Sequence, residues 1–135
     1  MGVSRVLLRG SARGSALVLD EPLCMWGGLD PATGEIIDRR HPQAGTIVSG
    51  RVLVLPFGRG SSSSSSVLAE AIRLGTAPAA IVMAEPDDII LLGALAAEEL
   101  YDITCPIVVV DADSYASIRT GDQVSMGKDG SLTIG

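Results

Sequence analysis

Residues 57–66 read Phe-Gly-Arg-Gly followed by six serines, and they hold the residue types from which an anion site is built. They follow an apolar run, Arg-Val-Leu-Val-Leu-Pro at 51–56, and lead into an apolar-periodic stretch at 67–74. A strand ending at Pro56, a turn between Gly58 and Gly60, and serines opening a helix would gather unpaired backbone N–H groups at the positive end of a helix dipole. The two glycines let the main chain come close to a ligand or take positive φ. Arg59 adds a two-pronged donor for carboxylate or phosphate. The serine hydroxyls can cap the helix or face a ligand. The competing reading is a low-complexity spacer. Position weighs against it, because a spacer separates folding units and this run joins a strand to its own helix. No Lys follows at phosphate-loop spacing, which excludes a Walker-type nucleotide site.

A serine here has two ways to do chemistry. The chain has one histidine, His41, beside Pro42 in a long loop, and no G-x-S-x-G elbow. His41 reads as a solvated loop residue rather than a triad member. Serine could instead serve as a base if Arg59 and helix N–H groups stabilised its alkoxide. The second region of interest is 25–45, Met-Trp-Gly-Gly-Leu-Asp-Pro and onward, rich in Gly, Pro and Asp. A loop this long in a compact domain is uncommon and often functional. Within it Asp30 is either a turn former through its side chain or a substrate contact. Cys24 and Cys105 are far apart, lie in apolar surroundings and lack CxxC spacing. They read as two buried thiols, with no metal ligands in this chain.

The elements that must position these loops are legible in outline. Strands are expected at 4–10 and 16–22 around the turn residues 10–15, with a short one at 35–38 and a longer strand region at 46–57 in which Gly50 marks a bulge or turn. A helix is predicted over about 64–74, since Val67, Leu68, Ala71 and Ile72 share one face, and Gly75 stops it. Strands at 79–84 and 106–111 flank a helix opened by Pro86 and two aspartates. Its apolar residues run nearly all round, which predicts burial on more than one side. A helical turn at 112–118 and a hairpin turning at Asp129–Gly130 close the chain. The class is mixed α and β (α+β) with a partly parallel sheet, as one domain over 1–135.

Composition narrows the partners. Hydrophobic residues make up 47% and only four residues are aromatic, so the core is aliphatic. A net charge of −6 and few rings argue against nucleic acid. The longest strongly apolar run, 89–97, is too short to span a membrane, and the start lacks the apolar core of a secretory signal. A cytoplasmic protein is expected.

The two loops together resemble the small, swivelling-domain subunit of the aconitase X family. The likeness rests on a G-G-x-D-x-x-T-G loop (Gly27, Gly28, Asp30, Thr33, Gly34) and a G-R-G-S-S loop (Gly58 to Ser62), and it runs over about 3–111. The resemblance implies a β/β/α swivelling domain like the mobile domain of aconitase, and a hydro-lyase. Family members include cis-3-hydroxy-L-proline dehydratases and phosphomevalonate dehydratases. It further implies that a large subunit carries an iron or iron–sulfur centre, while the small subunit closes over the site and supplies a serine base. Residue by residue, that serine is Ser61, directly after G-R-G, with Ser62 as second choice. Gly27, Gly28, Asp30, Arg59, Gly60 and Ser62 would line the substrate. The expected substrate is a small carboxylate, with cis-3-hydroxy-L-proline first, tilted by nine Arg against a lone Lys128, and phosphomevalonate second. A non-catalytic anion-binding or regulatory module is the reading from another class.

Overall fold

The computed structural model describes residues 3–135. In chain order its elements are β1 (Val3–Leu8), β2 (Ala12–Val18), β3 (Leu23–Cys24), α1 (Met25–Gly28), β4 (Leu29–Asp30), β5 (Glu35–Ile36), β6 (Val52–Leu55), β7 (Gly58–Arg59), α2 (Ser62–Leu74), β8 (Ala80–Met83), α3 (Asp88–Tyr101), β9 (Ile107–Val110), α4 (Ala112–Ser117), β10 (Gln123–Met126) and β11 (Leu132–Ile134). Seven strands join in the order β1-β9-β8-β6-β2-β10-β11. The centre, β2, β6, β8 and β9, is parallel, while β1 and β10 run antiparallel to it on either side. Helices α2 and α3 are the crossovers between the parallel strands, as parallel pairing requires.

Every residue of β6, β8 and β9 is buried, and the period of two sorts them. Leu53, Leu55, Ile81, Met83 and Ile107 pack under Leu68, Ala71 and Ile72 of α2 and Ile90, Ala94 and Ala97 of α3. Val52, Val54, Ala80, Val82, Val108 and Val110 face the other way, against Ile118, Val124, Met126 and Leu132. Long side chains thus meet helices, and short branched ones meet the strands that curl over them. The result is the three-layer β/β/α arrangement. At the helix–helix contact Gly93 is essential: a Cβ there would lie 2.7 Å from the Ser65 carbonyl oxygen. Among the described residues no helix is long and apolar enough to cross a membrane.

Several expectations are corrected. β1 and β2 exist but are not partners: β1 pairs with β9, and β2 with β6 and β10. The supposed turn residues 12–15 belong to β2, because β10 pairs with them. The strand region at 46–57 shrinks to β6. Gly50 (φ 71) makes a turn, closed by Arg51 N–H to the Val48 carbonyl, and 46–48 instead bond back to 34–36. Burial of α3 on several sides is not met within this chain: Leu92 and Leu95 stay exposed, while Ile90, Gly93, Ala94 and Ala97 are buried. The closing hairpin is as expected, with Gly130 (φ 85) at its turn.

Candidate functional site

The serine run is part of the fold, not a tether. β7 pairs in parallel with β3, matching Leu23 to Gly58 and Cys24 to Arg59, so the two glycine-rich loops leave the same two-stranded ladder. The Gly58 N–H is held by Asp87 Oδ2 at 3.0 Å, while Asp87 Oδ1 caps α3 through the Ile90 N–H at 2.9 Å. One carboxylate therefore pins both the loop and the helix beside it. The sequence pointed to Asp87 only as a helix-start residue; its second bond, to a position 29 residues away, has no local signal.

Helix α2 begins at Ser62, two residues earlier than its apolar periodicity indicates. Ser61 is its N-cap (φ −107, ψ −170), and its Oγ accepts a long bond of 3.4 Å from the Ser63 N–H. The extended cap backbone and the left-handed Gly60 before it (φ 108) make the tight entry that a strand-to-helix turn needs. No acidic residue lies in the first turn, so the helix's own sequence does not offset its positive end. Ser61, Ser62, Ser63 and Ser66 are exposed, whereas Ser64 and Ser65 are buried. Arg59 is exposed, and its guanidinium has no hydrogen bond or ion pair among the described residues. One turn thus carries exposed serine hydroxyls and an exposed guanidinium with no partner among the described residues, while the Ser63 and Ser64 amides are taken by Ser61.

The facing wall is α1 and the turn after it. α1 is broken at Trp26 (ψ 118) and Gly27 (φ 77). Gly28 is buried against Leu23, and its carbonyl accepts the Ile37 N–H at 2.8 Å. Asp30 proves to be a turn former: its Oδ1 accepts the Ala32 N–H at 2.9 Å and its carbonyl accepts the Thr33 and Gly34 N–H groups. Gly34 (φ 78) lies so close to Ser49 that no side chain fits. The two walls touch through Ser64, whose Oγ accepts the Trp26 N–H at 3.3 Å. The structure therefore brings Gly27, Gly28, Arg59, Gly60, Ser61 and Ser62 to one edge, and gives Asp30 the turn beneath.

Two further expectations fail. His41 is not solvated: it is buried, with Nε2 3.1 Å from the Glu21 carbonyl and Nδ1 accepting the Gln43 N–H, so it pins the long loop. The cysteines are not alike. Cys105 is buried under the sheet and burial pushes its thiol up to about 12. Cys24 is only partly buried and sits at the site, its Sγ 3.2 Å from the Trp26 carbonyl. Among the described residues no group of three or more His, Cys, Asp or Glu is placed to hold a metal ion.

A curled mixed sheet carrying an open, one-sided edge of glycines, serines and arginine defines a domain of the swivelling type. A family model described as the aconitase X swivel domain matches residues 2–134, and the chain belongs to that family. It is 51% identical over 105 residues to the cis-3-hydroxy-L-proline dehydratase of Pseudomonas aeruginosa, which covers 78% of this chain and 18% of that protein. It is 45% identical over 93 residues to the phosphomevalonate dehydratase small subunit of Methanothermobacter thermautotrophicus, covering 69% and 71%. The crystal structure of Thermococcus kodakaraensis aconitase X in its holo-form superposes with a TM-score of 0.84 at 33% identity, over 96% of this chain and 94% of that one. The chain spans about a fifth of the length of the hydroxyproline dehydratases it matches.

Proposed function

We propose that this chain, acting as one unit over 1–135, is the swivelling part of an aconitase X-type dehydratase and supplies the proton acceptor for loss of water from a hydroxy acid. The observation that carries this is the turn 59–61: an exposed Ser61 hydroxyl capping a helix with no acidic residue in its first turn, two residues from Arg59, whose exposed guanidinium has no partner among the described residues. Serine is a weak base until its anion is stabilised, and backbone amides with a cation are the groups that do so. Arg59 binds the substrate carboxylate, and Ser61 takes the proton beside it. Ser62 offers its own amide, and Gly27 and Gly28 line the opposite wall without side chains to obstruct entry. The leaving hydroxyl needs help that this chain does not provide. In this reading an iron or iron–sulfur centre is carried by a large subunit or by the remainder of a longer enzyme, and no group of three or more His, Cys, Asp or Glu among the described residues competes for it. Trp26, Ile37 and Phe57, all exposed and next to the loops, are the apolar contacts for that partner. Closure of the one-sided edge against it excludes water.

The substrate we favour is cis-3-hydroxy-L-proline, supported by the 51% identity with the Pseudomonas aeruginosa enzyme. The second reading, a phosphomevalonate dehydratase small subunit, is favoured by the shared length, 71% of that relative being covered. Co-expression with a matching large subunit, and assay on both compounds, decides between them. In the assembled enzyme Ser61→Ala is expected to lower turnover by about 10²–10⁴-fold, the range for removal of a general base. Near-wild-type turnover would remove Ser61 from this role, and a dead Ser62→Ala beside an active Ser61→Ala would move it one residue.

A further inference from the structure

Ser64 is the one serine of the run that bonds outside its own turn in three directions. Its Oγ accepts the Trp26 N–H at 3.3 Å, donates to the Arg59 carbonyl at 3.3 Å and lies 3.4 Å from Cys24 Sγ. It is 2% exposed, so water does not stand in for a lost bond. A hydroxyl has one proton to give and two lone pairs to receive with: the Arg59 carbonyl takes the proton, the Trp26 N–H reaches a lone pair, and the Cys24 thiol, whose own proton goes to the Trp26 carbonyl, packs alongside. The Ser64 N–H also bonds the Ser61 carbonyl at 2.9 Å, so the clasp and the proposed base share one helical turn. Gly60 makes the room: a Cβ there would fall 2.5 Å from Ser64 Oγ and 2.8 Å from Cys24 Sγ.

We infer that Ser64 is a positioning residue, whose hydroxyl locks the Trp26–Gly27 turn against the Arg59–Gly60 turn and so fixes Ser61 relative to the opposite wall. This rests on the dehydratase reading only for its catalytic consequence. Loop order is a separate observable. Ser65 is the natural control, because its Oγ bonds the Ser62 carbonyl within α2 at 2.5 Å and reaches no other loop.

The test compares Ser64→Ala, Ser64→Thr and Ser65→Ala. In the chain by itself, hydrogen exchange of the Trp26 amide should quicken at least about 10-fold in Ser64→Ala and stay near wild type in Ser65→Ala. In the assembled enzyme Ser64→Ala should lower kcat about 10–100-fold, as a displaced reacting group does. KM should change less than about 3-fold, since the long Arg59 side chain can readjust. Ser64→Thr, which keeps the hydroxyl, should recover kcat. An unchanged Trp26 amide, equal losses in Ser64→Ala and Ser65→Ala, or faster exchange with unaltered kcat would each overturn the inference. Wild-type inactivity on both hydroxy acids would remove the dehydratase reading alone, and Trp26 exchange would then judge the clasp.

Discussion

In the first turns of α2 the side chains that reach the rest of the molecule are hydroxyls, whereas from Leu68 onward they are hydrocarbon. Ser64 is buried and tied to the Trp26 N–H and the Arg59 carbonyl, while Ser65, also buried, bonds back to Ser62 within the helix; Leu68, Ala71 and Ile72 are buried against Leu53, Leu55 and Ile81. The apolar half is held by area removed from water, which is non-directional and tolerant of small shifts. The polar half is held by bonds that weaken steeply with angle and distance. One helix thus separates stability from alignment along its length, with its firm end on the sheet and its directional end at the loops.

The largest effect should come from breaking the apolar half. Leu68→Ala removes a fully buried side chain and should cost about 2–5 kcal/mol of stability, read from urea unfolding. Turnover of the folded fraction should stay within about 3-fold of wild type if the two halves are independent. Breaking the polar half should do the reverse. Gly60→Ala forces a left-handed φ of 108 on a residue with a Cβ and drives it into Ser64. It should cost about 1–3 kcal/mol and reduce turnover more than Leu68→Ala does at equal folded fraction; equal turnover would merge the halves.

The smallest effect sharpens the same contrast through the two thiols. Cys105, pushed up to about 12 by burial, keeps its proton in the fold, whereas the unfolded thiol releases it near 9.0. The folded pKa is the higher one, so the linked stability is complete below pH 9 and falls as pH climbs from there toward 12. A stability profile that is flat from pH 7 to 9 and declines above it is expected, and the decline should shrink in Cys105→Ala. With iodoacetamide at pH 8, Cys24 should be labelled in the native chain, and Cys105 only in denaturant.

What could be read beforehand follows the same division. The spacing of Val67, Leu68, Ala71 and Ile72, and Gly75 after them, announce the apolar half of α2, and Gly75 is indeed its left-handed cap (φ 78). Six identical serines carry no contrast with which to assign cap, exposed and buried roles; helical phase alone sorts them. His41 was misleading because both its partners are backbone groups, one of them 20 residues earlier, and a carbonyl leaves no mark in composition. β1 and β2 look like a hairpin because local turn chemistry cannot reveal that each prefers a strand from the far half of the chain. The G-R-G-S-S and G-G-x-D-x-x-T-G loops stand apart in the sequence, and their meeting depends on a two-residue ladder, β3 with β7.

Gly93 lets the two crossover helices approach closely. Because nothing projects from it toward the Ser65 carbonyl, main chain rests on main chain at that point. Main chain has no rotamers to swap. The gap between the two crossover helices is therefore a gauge block, and the serine end of α2, to which Ser65 itself belongs, takes its height from that contact.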